Sequence, residues 1–136
     1  MAPRYLLDTN VVSDFVRGRA AVQARLRGTP PGELAVSSVT VMEINYGLAL
    51  EPSRVRRLQP VIDALLGAVC LLPFTVEDAH AAGALRASLR RRGRPIGPYD
   101  VLLAGSALAR GLVLVTANAR EFGRVAGLLV DDWRAA

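Results

Sequence analysis

The 136-residue chain contains no lysine; all 17 of its basic side chains are arginines. That absence removes several chemistries at once. A phosphate-binding P-loop needs its lysine, a Schiff-base enzyme needs an amine, and a receiver-type phosphoacceptor aspartate normally has a lysine beside it. Cysteine and histidine occur once each, too few for a disulfide framework or for the usual nitrogen and sulfur shell of zinc. Cys70, in the apolar run "GAVCLLPF", is expected to be a buried structural thiol. His80 stands mid-helix in "EDAHAAG", which argues for a helix-surface histidine and against a Ser/His/Asp triad. Three tyrosines, three phenylalanines and one tryptophan leave little material for a base-stacking platform. Apolar residues make up 51% of the chain, but no uninterrupted run approaches the ~20 residues needed to span a bilayer. The opening "MAPRYLLDTN" has no hydrophobic leader core. The expectation is a cytoplasmic protein without membrane contact.

What is present is a net charge of +5, all of it from arginine, which permits a polyanionic partner such as nucleic acid. The length suits one domain spanning 1–136 with a real core. Apolar segments rich in Leu and Val at 4–8, 33–37, 70–74, 112–116 and 128–132 read as buried strands. Helical patterns cover 10–17, 19–28, 38–51, 53–69, 76–92, 98–110 and 119–124. Ser38 and Ser53 are plausible N-caps, Thr75 with Asp78 forms a capping box, and Pro60 is expected to split or kink its helix. Strands alternating with helices predict an α/β fold, a parallel sheet covered on both faces. In such sheets ligands bind beyond the carboxyl ends of the strands, where strand order reverses. Asp8 and Thr116 end two of these strands, Asn118 follows Thr116, and Asp100 opens the helix leading into the second of them.

Three acids stand out, each with a plain structural explanation beside the functional one. Asp8, in "YLLDTNVVSDF", suits an N-cap at a strand-to-helix turn. Asp100, in "RPIGPYDVLLAGSALA", follows Pro98 into a helix whose positive N-terminus favours an acid. Its capping-box partner is missing, because Gly97 stands where Ser or Thr would. Glu43, in "SSVTVMEINYGLALE", has helical neighbours Val39, Thr40, Tyr46 and Gly47, with no basic residue to neutralise it. Gly47, one turn along, would allow a close approach by another group. Carboxylates without lysine favour a hard cation, Mg²⁺ or Mn²⁺, held by a few oxygens plus a substrate phosphate. Such an ion polarises a phosphoryl oxygen and acidifies water, so no protein nucleophile is needed.

Together these segments resemble the PIN-domain family, and within it the VapC toxins of toxin–antitoxin pairs. "YLLDTNVVSD" is similar to the family's first strand and acid, and "SSVTVMEINYGL" to the segment carrying its helical glutamate. "IGPYDVLLAGSALARGLVLVTANAREFGRVAGL" is similar to the C-terminal block. The resemblance implies a three-layer α/β/α sandwich around a central parallel sheet. It implies an endoribonuclease dependent on Mg²⁺ or Mn²⁺, a VapB-type antitoxin that blocks the site, and a homodimer. It places catalytic and metal-binding roles on Asp8, Glu43 and Asp100. Asn118 falls where many members carry aspartate and is placed to meet the metal through water rather than directly; Thr116, Thr9 and Asn10 support the site with it. The alternative is a non-catalytic PIN-fold module that binds RNA or protein.

The arginines of "RASLRRRGR" (Arg86, Arg90, Arg91, Arg92 and Arg94) admit two readings. They track an RNA backbone, or they form a solvated helix C-terminus favoured by the dipole.

Overall fold

The computed structural model describes residues 2–134; the outermost positions of the 1–136 domain lie outside them. Five strands, β1 (Tyr5–Leu7), β2 (Leu34–Ser37), β3 (Cys70–Leu72), β4 (Val113–Val115) and β5 (Val130–Asp131), form one sheet in the order β3-β2-β1-β4-β5. Every neighbouring pair is parallel. The helices are α1 (Thr9–Val16), α2 (Ala20–Arg27), α3 (Ser38–Leu50), α4 (Val55–Ala68), α5 (Val76–Arg91), α6 (Pro98–Arg110) and α7 (Ala119–Phe122). From β1 the chain winds outward through β2 to β3, then returns to add β4 and β5 on the other side of β1. Strand order therefore reverses between β1 and β4.

Alternation along the strands builds a core on each face. Leu6, Ala35 and Leu114 point to one face with Leu85, Leu89, Leu103 and Phe122. Leu7, Leu34, Val36 and Val115 point to the other with Val11, Val22, Ile44, Leu65 and Trp133. A two-residue period in the sheet thus feeds two separate layers of helices. The layers form the α/β/α sandwich expected from the sequence. On the first face α5 and α6 pack with unusual closeness: a Cβ added to Gly105 would lie 2.7 Å from the Cβ of Ala82. The same pair is locked at one end by Asp78 and Arg110. Asp78, 1% exposed, accepts from Arg110 Nε and Nη2 at 3.2 and 3.1 Å and from Thr75 N at 2.9 Å. Burial alone would push the Asp78 carboxyl up, but Arg110 and the Thr75 donors outweigh it and hold it below the usual range.

Local expectations are corrected in several places. The N-cap of α3 is Ser37, whose extended backbone lets its hydroxyl accept from Val39 N at 3.0 Å. Ser38 is already helical and its hydroxyl accepts from Phe74 N instead. Ser53 caps nothing, because it sits inside a one-turn 3-10 helix, Pro52–Arg54, where the backbone has already turned. Pro60 does not split α4, which runs unbroken through it. Its ring is exposed, so the bond it forfeits faces water. Cys70 is half-buried rather than buried, because β3 is an edge strand with Leu71 51% exposed. The Thr75–Asp78 capping box forms as read, and His80 is exposed. Among the described residues no helix is long and apolar enough to cross a membrane.

Candidate active site

The acids meet where strand order reverses, at the carboxyl ends of β1 and β4. Asp8 follows β1 directly, and its backbone N–H is still bonded to Val115 O of β4 at 2.9 Å. Its carboxylate is 5% exposed and takes a donor on each oxygen: Thr9 N on Oδ1 and Thr116 Oγ1 on Oδ2, both at 2.7 Å. Asp8 is therefore the N-cap of α1 and at the same time stands where the acids meet, so the one position does not exclude the other. Burial raises its pKa and the charge of Glu121 adds to this, while the Thr116 and Thr9 bonds pull it back.

Two further side chains are tied to this point. Thr9, first residue of α1, donates through Oγ1 to Glu43 Oε1 at 2.8 Å, which fixes the α3 carboxylate against the α1 N-terminus. Thr40 Oγ1 lies 3.2 Å from the same hydroxyl. Asn10 Oδ1 accepts from Ala117 N at 3.4 Å, holding the loop after β4. Thr116 is fully buried and also accepts from Asn118 N at 3.0 Å, so one hydroxyl joins Asp8 to the turn bearing Asn118.

Asp100 differs from the others. It is half-buried in the first turn of α6 yet makes no side-chain hydrogen bond and no ion pair with another described residue. Desolvation raises its carboxyl to about 6, with the charges of Asp8, Glu121 and Glu43 adding to the effect. Gly97 makes room for it: a Cβ there would lie 3.0 Å from Asp100 Oδ2. A side chain at the capping-box position would therefore crowd this carboxylate.

Asp8, Thr9, Asn10, Glu43, Asp100 and Asn118 all line one polar cleft of ≈ 410 Å³, joined by Ser13, Asp14, Arg17 and Arg134. None of Asp8, Glu43 and Asp100 pairs with a described basic side chain; Arg134 is taken by Asp14, at 2.6 and 3.0 Å. Among the described residues no group of three acid, histidine or cysteine side chains stands close enough together to hold a metal ion by itself. The donors facing the cleft are all oxygens, and one of them is an unpartnered carboxylate. That donor set fits a hard divalent cation rather than a soft one.

The sequence reading missed Glu121, whose Oε2 accepts from Asn118 Nδ2 at 2.6 Å and whose Oε1 accepts from Gly97 N at 3.2 Å. An acid three residues after an asparagine at a helix start is a capping-type spacing, and that signal was available. Gly47 has nothing within 4 Å of an added Cβ, so no group approaches it; it borders an open groove between α1, α3 and α4. Arg86, Arg90, Arg91, Arg92 and Arg94 are exposed and none lines the acid cleft. Arg92 Nη2 donates to Arg124 O at 2.8 Å and Arg124 Nη1 to Pro95 O at 3.1 Å, which ties down the loop entering α6.

The fold and this constellation define a PIN domain, and comparison with known proteins agrees. The PIN-domain family profile matches residues 5–128. The chain is 38% identical to the tRNA(fMet)-specific endonuclease VapC of Shigella flexneri, over 96% of this chain and 98% of that one. It is 34% identical to the enzyme of the same name from Salmonella typhimurium, at the same coverage. The DNA-bound VapBC complex of Salmonella typhimurium superposes with a TM-score of 0.88 at 34% identity, covering 96% of this chain and 98% of that one. The chain belongs to the PIN-domain family, in its VapC group.

Proposed function

We propose that the protein is a VapC-type toxin, an endoribonuclease that cleaves RNA phosphodiesters with the help of Mg²⁺ or Mn²⁺. The observation that carries this is Asp100, a half-buried carboxylate with no donor, set beside Asp8 and Glu43 in one cleft whose arginines, Arg17 and Arg134, form no ion pair with any of the three. Building such a cluster costs stability unless a cation is part of the working state.

Asp8, Glu43 and Asp100 would hold the ion, with Asn118 as a further oxygen donor. When bound, a hard divalent ion neutralises charge on a phosphoryl oxygen and lowers the pKa of water. The chain's own contribution is placement. Thr116 and Thr9 N fix both oxygens of Asp8. Thr9 Oγ1 fixes Glu43, and Asn10 holds the loop that carries Asn118. The substrate is RNA, and a tRNA is the first to test, because two close relatives are named for one. The reading carries with it a VapB-type antitoxin, supported by structural neighbours that are VapBC complexes, a homodimer, and action in the cytoplasm where RNA is found.

The test is cleavage mapping on total RNA and purified tRNA, in Mg²⁺ or Mn²⁺ and in chelator. Discrete cuts are expected with metal and none in chelator. Asp8→Asn and Asp100→Asn are each expected to lower the rate about a hundred-fold or more while remaining folded. Folded wild-type protein that cuts neither substrate in either metal leaves the non-catalytic PIN-fold module as the reading.

A further inference from the structure

The proposed mechanism gives Glu121 no part, yet its carboxylate takes the Asn118 amide and the Gly97 N–H. A carboxylate accepts hydrogen bonds and cannot donate them, so the end of the Asn118 amide that faces Glu121 Oε2 at 2.6 Å has to be the NH₂ group. With Nδ2 committed there, Oδ1 is the end of the amide left for the cleft that Asn118 lines. Glu121 Oε1 meanwhile takes the N–H of Gly97, the N-cap of α6, one turn before Asp100. One side chain therefore joins the turn after β4, the short helix α7 and the start of α6. Helix α7 has four residues, too short to hold this geometry by its own hydrogen bonds.

We infer that Glu121 is a positioning residue that turns the Asn118 amide so that its carbonyl oxygen, not its NH₂, faces the cleft. This rests on the metal-dependent reading above. Outer partners of this kind orient the groups that touch a cation and tune affinity without touching it themselves. An asparagine that flips presents two N–H donors to a cation and repels it; an asparagine held by Glu121 presents an oxygen dipole.

The arrangement also explains why asparagine, rather than aspartate, belongs beside this glutamate. Asn118→Asp would set two carboxylates against each other at hydrogen-bond distance. Glu121→Gln in the same chain removes the conflict: the glutamine Oε1 still takes the Gly97 N–H, and its Nε2 donates to the introduced carboxylate.

The experiment is a double-variant cycle on the full chain, read by thermal melts in chelator and by direct Mn²⁺ binding. Asn118→Asp alone is expected to melt below wild type in chelator, and adding Glu121→Gln to recover most of that loss. Glu121→Ala is expected to weaken Mn²⁺ binding about ten-fold or more. The Asn118→Asp with Glu121→Gln protein is expected to bind Mn²⁺ at least as well as wild type. Simple additivity of the two substitutions in chelator overturns the inference, and so does wild-type Mn²⁺ affinity in Glu121→Ala. A drop in melting temperature with unchanged Mn²⁺ affinity makes Glu121 structural only, which also overturns it. If wild type takes up no Mn²⁺, the metal reading falls first, and the chelator cycle still shows whether Glu121 orients the Asn118 amide.

Discussion

Thr116 Oγ1 donates to Asp8 Oδ2 at 2.7 Å across 108 residues of sequence, joining the ends of two adjacent parallel strands at the floor of the cleft. Thr116→Val keeps the shape and removes the donor, leaving a buried carboxylate oxygen unpaired. A loss of about 1–3 kcal/mol in denaturant unfolding is expected, with Thr116→Ser close to wild type. Because the lost bond lowers the Asp8 pKa, its removal raises that pKa further and the deficit grows with pH. Equal stability of Thr116→Val and wild type at pH 8 would refute the role.

Asp100 gives the protein a pH signature in chelator. Its folded carboxyl is raised from 3.8 to about 6, so between these values the folded state binds more protons than the unfolded one. The stability that Asp100 contributes is therefore fully present below about pH 4 and is lost as pH rises through about 6. Asp100→Asn is expected to flatten that part of the profile, to melt higher than wild type at pH 8 in chelator, and to gain less from added Mn²⁺. Melts across pH and metal concentration decide it; an Asp100→Asn protein that responds to metal like wild type would make this a helix-start acid and nothing more.

Glu43 separates site from scaffold. Its one described partner is the Thr9 hydroxyl, which a glutamine still accepts. Glu43→Gln is expected to change stability by less than about 0.5 kcal/mol while lowering cleavage about a hundred-fold. Cleavage at the wild-type rate would remove Glu43 from the site.

The exposed arginines offer a salt test. Arg92 is engaged with Arg124 O, so the informative pair is Arg90 and Arg91. If both hold RNA phosphates, their replacement by Gln reduces the slope of log affinity against log salt by about one to two. An unchanged slope returns them to a solvated helix end, and antitoxin binding is assayed alongside because arginine is frequent at protein interfaces.

A packing test lies on α6 five residues beyond Asp100, outside the residues that line the cleft. Gly105→Ala drives a methyl into Ala82, whose backbone lies 2.8 Å from the added Cβ. Overpacking of about 1–3 kcal/mol is expected, with cleavage per folded molecule unchanged. Wild-type thermal stability would show that α5 and α6 can part at no cost.

Much of this architecture was written in local patterns. The apolar strand runs alternate with helical periods, and that alternation alone specifies parallel strands with helices on both faces. Asp8, Glu43 and Asp100 were legible as acids without basic neighbours, on segments that a parallel sheet brings to one edge. Element ends were read less well. Ser37 displaced Ser38 as the cap because only the last strand residue keeps extended backbone, and Pro60 stayed inside α4 because its forfeited bond faces solvent.

The sequence by itself determined which chemistry was available: oxygen donors without lysine, thiolate or imidazole sets, on an α/β chain whose apolar periods demand a covered sheet. Tertiary structure alone decided how each acid is held. The Thr116–Asp8 and Thr9–Glu43 bonds depend on distances that no spacing encodes, because each joins residues far apart in the chain. The same holds for the pKa of Asp100. Its rise comes from burial and from the charges of Asp8, Glu121 and Glu43, and a charge acts through space over a few ångströms whatever its separation along the chain.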